Sequence, residues 1–459
     1  MSIAVRRGNL QKYMWTAAAC LLCISAVEII VYHEFFWAAV PAIPLFLYLS
    51  IRKPFIFPLG AYALLLPFDA VLSVTGHTQG ATLTKILGVM TMLVLLLKGS
   101  FEKRFTRPNK VVFCWTSLVL YASLTILWAI DPAAALARIP TAIGLLALYL
   151  VASFYRITEK EWGTLKTAIL LGGFLASIFA IYAYFSGQFF GPTQRATLML
   201  GNRETNPNEL GLSMLMPIAI CIEMLFAGKK MEGRKFSLLV VFATVLFCVI
   251  LSGSRGTMLS IGIIFAVYLF SSRRKFTTAL LFTSISLPGI FFMLPFLTAR
   301  WHKAYSSGGA GRLVIWHVGL KAFESYWITG AGLENFPFAY QKFIGYSRGF
   351  VRFYQASHNI YLNLAVEMGI TGILILFWGL KGHYALIRSN NDSNKKDKVM
   401  LTAVFWGMLA ASFFDDFFWE KTMWLFWMSV LMRDNLIKKE IQPAPQTLIK
   451  EKYIKTDSI

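Results

Sequence analysis

Residues 356–380 read ASHNIYLNLAVEMGITGILILFWGL, and this stretch joins a polar loop to a long apolar segment. Its first half places Asn359, Asn363 and Glu367 at intervals of one helical turn, which puts the three side chains on one helix face. Its second half has the composition of a membrane-spanning helix, which needs roughly 20 apolar residues. Because polar groups are costly against lipid, we expect this face to point into a helical bundle or a hydrated cavity.

Apolar segments similar in composition to the second half of this stretch recur along the rest of the chain. The chain has 459 residues, of which 57% are hydrophobic and 15% charged, and its mean hydropathy is +0.59. This composition predicts an all-α, polytopic transmembrane bundle of about 12 to 14 spans with one large loop that contains short helices. We divide the chain into spans with short loops (1–296), the large loop (297–357), the C-terminal spans (358–432) and a cytoplasmic tail (433–459).

The basic residues indicate how the chain is oriented. The net charge of +21 lies mostly in short connections between apolar runs, which is typical of cytoplasmic loops and argues against a nucleic-acid partner. With the N-terminus in the cytoplasm, basic and poorly basic connections alternate along the chain. We therefore expect a membrane protein whose large loop lies outside the cytoplasm.

The large loop does not follow this charge pattern. It has two acidic residues, Glu324 and Glu334, and seven basic ones, which are Arg300, Lys303, Arg312, Lys321, Lys342, Arg348 and Arg352. Cations kept on the outer side indicate an anionic ligand. The alternative is that a loop of this length escapes the charge rule.

Two arginines stand in glycine-rich turns. Arg255 follows Ser252-Gly253-Ser254, where small residues let a phosphate approach the backbone; the alternative is an anchor to lipid head groups. Arg312 follows Gly308-Gly309-Ala310-Gly311 and opens a predicted helix that runs to about Tyr326. A cation is disfavoured in a first helical turn, so we expect an anion to bind beside the free N–H groups.

His358 lies where the large loop enters the membrane. Histidine is the side chain best suited to take a proton near neutral pH, although an interfacial histidine with only a structural role is the alternative. The sequence has no Walker motif and no evident metal-ligand cluster. We therefore expect no metal and no cofactor.

These stretches resemble the O-antigen ligase superfamily, which also holds O-unit polymerases and O-linked oligosaccharyltransferases. His358-Asn359, with Gly369 and Gly372, is similar to the His-Asn-x9-Gly-x2-Gly pattern of the ligases. Residues 254–256 (SRG), 311–316 (GRLVIW) and 330–336 (GAGLENF) look like the other landmarks, in the same order.

The resemblance implies a glycosyltransferase that moves a glycan from undecaprenyl diphosphate to an acceptor hydroxyl. It implies a bacterial inner-membrane protein whose site faces the periplasm, with membrane lipids around it. It implies His358 as the general base, Arg255 and Arg312 as catalytic arginines, and Arg203 as a further ligand of the diphosphate. Other substrate contacts are expected at Arg195, Arg348, Arg352, Asn359 and Glu334. We expect lipid A-core as the acceptor, or another glycan.

Two alternatives remain. A polymerase of the same superfamily would use the same residues, with a second carrier-linked glycan as the acceptor. A lipid-linked glycan transporter belongs to a different class, and it would typically show internal repeats or helices broken at mid-membrane.

The charge alternation generates a prediction about topology. A reporter that is active only outside the cytoplasm should be active when fused after Lys342 and silent when fused after Lys395. The matched measurement is a cytoplasm-specific reporter at the same two positions, which should give the opposite pattern. A cytoplasmic Lys342 fusion would overturn the orientation of the large loop.

Overall fold

The computed structural model describes residues 43–72, 82–189, 194–201, 203–226, 233, 235–272, isolated positions between 275 and 302, 311–347, 351–389 and 395–436. These residues are almost entirely helical, which confirms the all-α prediction. Up to residue 185 the helices are α1 (Ile43–Arg52), α2 (Leu59–Leu65), α3 (Leu83–Phe101), α4 (Val111–Leu124), α5 (Pro132–Phe154) and α6 (Glu159–Phe185).

A two-stranded antiparallel hairpin, β1 (Met199–Leu200) with β2 (Arg203–Glu204), precedes the second half of the bundle. The helices that follow are α7 (Pro207–Ser213), α8 (Leu215–Leu225), α9 (Lys235–Ser252), α10 (Arg255–Ser271), α11 (Arg312–Tyr326), α12 (Phe336–Phe343), α13 (Ile360–Ser389), α14 (Lys395–Ala411) and α15 (Lys421–Asp434). Short 3₁₀ turns follow α2, α4 and α12. The large loop thus contains the short helices that the sequence predicts.

Six helical segments in the described part of the chain are long and apolar enough to cross a membrane. They are α3, α5, α6, α7 with α8, α9 and α13. Large apolar side chains such as Phe179, Phe270 and Trp378 are more than half exposed on the outside of the bundle. Lipid is the solvent that suits such a surface, so the chain is a multi-pass membrane protein.

One predicted span is wrong in its extent. The sequence predicts a span over residues 54–74, but α2 covers only Leu59–Leu65, followed by a 3₁₀ turn at Leu66–Phe68. Proline lacks a backbone N–H and disrupts a helix interior, and Pro58 and Pro67 flank this segment. The last two apolar runs of the sequence form two separate helices, α14 and α15.

The core joins helices that are distant in the sequence. α13 packs along α4, α10 along α14, and α15 along α5. At the centre of the first contact, Trp115 donates a 2.8 Å hydrogen bond from Nε1 to Nδ1 of His383, and both side chains are fully buried. His383 therefore has a structural partner inside the bundle, which distinguishes it from His358 at the bundle end.

A glycine breaks α13 and attaches the large loop to the bundle. Gly369 has φ 62° and ψ −164°, outside the helical range, so the carbonyls before it lose their helical partners. The N–H groups of Ala331 and Gly332 donate to the carbonyls of Val366 and Glu367, at 2.8 and 2.9 Å. The loop between α11 and α12 thereby completes the hydrogen bonding of the broken helix.

A buried ion network ties four helices together at the other end of the bundle. Lys166 in α6 donates to Glu223 in α8 and to Asp397 in α14, each at 2.8 Å. Asp397 also accepts from Nε of Arg433 in α15, at 2.7 Å. All four side chains are at most 9% exposed, so each charge depends on its partners.

We predict that Lys166→Met destabilises the protein by about 3 to 5 kcal/mol, because it leaves buried carboxylates without their cation. The measurement is the thermal midpoint of the purified protein, which should fall clearly. Lys160→Met, on an exposed position of the same helix, is the matched control and should change little. Equal midpoints for the two variants would show that the network does not hold the bundle.

Candidate functional site

Contacts from two helices hold the residues around His358 in place. The carbonyl of Ser357 accepts a 3.0 Å hydrogen bond from Nε1 of Trp316 in α11. The N–H of Ile360 donates to the carbonyl of Ser412, just after α14, at 2.9 Å. The histidine therefore lies between two anchored neighbours, one tied to the large loop and one to the bundle.

Asn359 begins α13 and the polar face that the sequence predicts. Its Oδ1 accepts hydrogen bonds from the N–H groups of Tyr361 and Leu362, at 3.0 and 3.1 Å, which is a helix cap. Asn359, Asn363 and Glu367 are all buried. This confirms that the polar face points inward, and it assigns the Asn359 oxygen a structural contact.

The backbone of His358 itself is in the left-handed region, with φ 49°. Few residues other than glycine adopt this conformation, and histidine is among the more tolerant ones. Such a conformation costs free energy and persists only where the surroundings impose it, most often at functional sites. The anchored neighbours supply this constraint.

Asp415 pairs with His358. Its Oδ1 lies 3.0 Å from Nδ1 of the imidazole, whose side chain is 33% exposed, whereas the carboxylate is 12% exposed. Asp415 is absent from the site predicted from the sequence, because it is far from His358 in the chain. A signal was present: the charge alternation puts the connection that contains Asp415 on the same side as His358.

The hydrogen bonds of Asp415 indicate which imidazole nitrogen of His358 carries the proton. Burial alone would raise the pKa of Asp415, but the hydrogen bond and charge of His358, with hydrogen bonds from Asn208 and the Asp416 N–H, lower it below its ordinary value. An ionised carboxylate can only accept hydrogen bonds, so Nδ1 of His358 must carry the proton. In the neutral imidazole, Nε2 then has the free lone pair and can accept a proton.

A chain of hydrogen bonds connects Asp415 with the turn that carries Arg255. Asn208, in α7, donates to Oδ2 of Asp415 at 2.7 Å. Arg195 donates to Oδ1 of Asn208 at 2.5 Å and, through Nε, to the carbonyl of Ser252 at 2.7 Å. Ser252 ends α9, and α10 begins three residues later at Arg255. Arg195 thus links the turn before Arg255 to Asp415 through Asn208.

Arg312 lies within electrostatic range of both Asp415 and Arg255. The two arginine side chains are half-buried at helix N-termini, and Gly311, with φ 81°, makes the turn into α11. Burial lowers the pKa of Arg312; the charge of Asp415 opposes this effect, and the positive charge of Arg255 adds to it. Two cations close enough to repel each other beside a single carboxylate form a site that favours an anion.

The other predicted substrate residues are distributed differently. Glu334 forms an ion pair with Nε of Arg138 at 2.5 Å, and Arg203 lies in β2. Both line a cavity whose lining does not include His358, Arg255 or Arg312. Arg352 is exposed on the segment before His358, and Arg348 lies outside the described residues.

The cluster formed by His358, Asp415, Arg255 and Arg312 combines a base, its acidic partner and two cations. We found no group of three or more His, Cys, Asp or Glu side chains placed to hold a metal ion among the residues that the structure describes. The cluster can take up a proton at Nε2 of His358 and bind an anion at the arginines.

Comparison with known proteins identifies the region that contains most of this cluster. Residues 240–377 match the family model described as O-antigen ligase. The match includes His358, Arg255 and Arg312, whereas Arg195, Arg203 and Asp415 lie outside it. No curated protein matches the chain. The chain thus contains an O-antigen ligase domain within a multi-pass helical bundle, which supports a membrane glycosyltransferase of the O-antigen ligase and polymerase family.

Proposed function

We propose that this protein transfers a glycan from undecaprenyl diphosphate to a hydroxyl of lipid A-core, at the periplasmic face of the bacterial inner membrane. The observation that carries the proposal is the hydrogen bond between His358 and Asp415 beside Arg255 and Arg312. The same cluster offers a base for the acceptor and cations for the leaving group.

The donor is held through its diphosphate. Arg255 and Arg312 present planar guanidinium groups, which bind phosphate oxygens through paired hydrogen bonds. As the glycosidic bond to phosphate breaks, negative charge increases on the leaving diphosphate, and the arginines stabilise it. The charged phosphate is already a good leaving group, so the reaction needs no nucleotide and no metal. Arg348 and Arg352 are proposed to extend this basic surface.

The acceptor is activated by His358. Nε2 takes the proton of the acceptor hydroxyl while its oxygen forms a bond to the anomeric carbon of the donor sugar. The electron pair of the broken carbon–oxygen bond leaves with the diphosphate. One displacement of this kind inverts the anomeric centre. Asp415 is a positioning residue, since it fixes the tautomer of His358 and stabilises the imidazolium that forms.

The structure also bears on the transporter alternative. The break in α13 is filled by the N–H groups of Ala331 and Gly332, so the broken backbone docks a loop. In a transporter, irregular backbone of this kind would be expected to line a substrate path. The break in α13 therefore favours a glycosyltransferase over a transporter.

We predict that His358→Ala reduces transfer about 10²- to 10⁴-fold, because a general base is lost, while donor binding stays nearly unchanged. Asp415→Asn should also lower transfer while donor binding stays nearly unchanged, since the amide no longer fixes the tautomer of His358. The measurement is transfer and donor binding in the same preparation. Glu324→Gln, which changes an exposed acid of the large loop that pairs with Lys321, is the matched control and should alter neither quantity. Equal loss of donor binding and turnover in His358→Ala would make the histidine a donor ligand.

The acceptor can be tested in cells. We predict that deletion of the gene leaves lipid A-core uncapped and lets carrier-linked long chains accumulate. The measurement is a parallel analysis of lipopolysaccharide and polyprenyl-linked glycans in deleted and complemented strains. Core that bears a single repeat would contradict a ligase and identify a polymerase of the same superfamily.

A further inference from the structure

A second polar site lies beside the catalytic cluster. It is a cavity of about 730 Å³, lined by residues from the 3₁₀ turn after α2, from α3, α5 and α7, from the β hairpin and from the start of α15. This volume is in the range of small-molecule pockets, about 300 to 1,000 Å³. Glu209, which lines the cavity, follows Asn208 of the hydrogen-bond chain and lies within electrostatic range of Asp415. The cavity thus adjoins the acid that positions His358.

Two of the four cations that line this cavity, Lys421 and Arg138, are paired with carboxylates. Lys421 donates to both oxygens of Asp69 at 2.6 Å and to the hydroxyls of Thr82 and Thr84, at 3.0 and 2.9 Å. These contacts occupy the donors of the ammonium group. Arg138 is paired with Glu334 in the same way. A diphosphate would have to compete with these carboxylates, so the cavity does not suit a strongly anionic ligand.

The cavity also has polar groups available to a neutral ligand. Trp419 lines it and is 5% exposed, yet its Nε1–H has no hydrogen-bond partner. Its ring stacks on Trp424, so the unused polar group is the N–H edge. Glu209 adds carboxylate oxygens, and the charged groups that act on it, Asp69, Asp415 and Glu420, are all acidic. A buried donor without a partner costs free energy that a ligand oxygen would recover.

We infer that this cavity binds a sugar segment of the substrate glycan, next to the bond that is transferred. Carbohydrate hydroxyls both donate and accept hydrogen bonds, which matches a wall of ion pairs, threonine hydroxyls, carboxylates and an indole N–H. The charged and polar lining excludes a lipid tail. The predicted substrate residues Glu334 and Arg203 then contact the glycan, while Arg255 and Arg312 contact the diphosphate. The inference rests on the proposed glycan transfer, and donor and acceptor share this chemistry.

The test is steady-state transfer by the full chain in lipid nanodiscs, with donor and acceptor varied in turn. Trp419→Phe removes the N–H and keeps the ring, so the KM of one glycan substrate should rise about three- to tenfold, the effect of one lost hydrogen bond. The thermal midpoint should not fall, because the N–H has no partner without the ligand. Glu209→Ala should raise the KM of the same substrate. Which KM rises assigns the cavity to the donor or the acceptor.

The matched control is Trp162→Phe, which removes a second buried indole N–H that also lacks a partner and does not line the cavity. Its KM values should equal those of the unaltered protein. If the unaltered protein transfers glycan and neither cavity variant changes a KM, the inference is overturned. If it transfers nothing, the proposed function fails, and the inference is tested by nuclear magnetic resonance. Phosphate-free oligosaccharide released from the donor or the acceptor must then bind the unaltered protein and lose binding in Trp419→Phe.

Discussion

The architecture of the site depends on the break in α13 at Gly369. The break leaves backbone carbonyls unsatisfied inside the bundle, and the loop between α11 and α12 satisfies them through the N–H groups of Ala331 and Gly332. A Cβ at Gly330 or Gly369 would overlap the backbone of the other segment, so this close approach requires glycine. This docking fixes α11 against α13. The N-terminus of α11, where Arg312 lies, is therefore held relative to the N-terminus of α13. Without this docking, the large loop would have no fixed position relative to the bundle.

Charged side chains lie in two kinds of environment in this bundle. In the network of Lys166, Asp397 and Arg433, buried charges of opposite sign are paired, and such pairs hold helices together. At the cluster of His358, Asp415, Arg255 and Arg312, the charges of Asp415 and Arg255 both act on Arg312. An anion that enters there adds the missing negative charge. The division between matched and unmatched charge separates structural ions from the proposed ligands of the diphosphate.

Local sequence patterns predicted much of this arrangement. The helix that begins at Arg312 and ends at Tyr326, and the inward face of Asn359, Asn363 and Glu367, follow from turn residues and from helical periodicity. Asp415 could not be predicted in the same way, because its contact with His358 depends on how α14 packs between α10 and α13. The short extent of α2 reflects prolines, which a count of apolar residues ignores. The assignment of Arg203 to a second cavity likewise required the tertiary fold.

The central claim is that the arginines hold the diphosphate while His358 faces the acceptor. The most direct measurement is a structure of the inactive His358→Ala protein with an undecaprenyl diphosphate glycan bound. The account predicts that phosphate oxygens lie within about 2.7 to 2.9 Å of guanidinium nitrogens of Arg255 and Arg312, as in charge-assisted hydrogen bonds. The sugar should extend toward the space left by the imidazole. A diphosphate bound away from both arginines, for example against Lys421 and Arg138, would contradict the account.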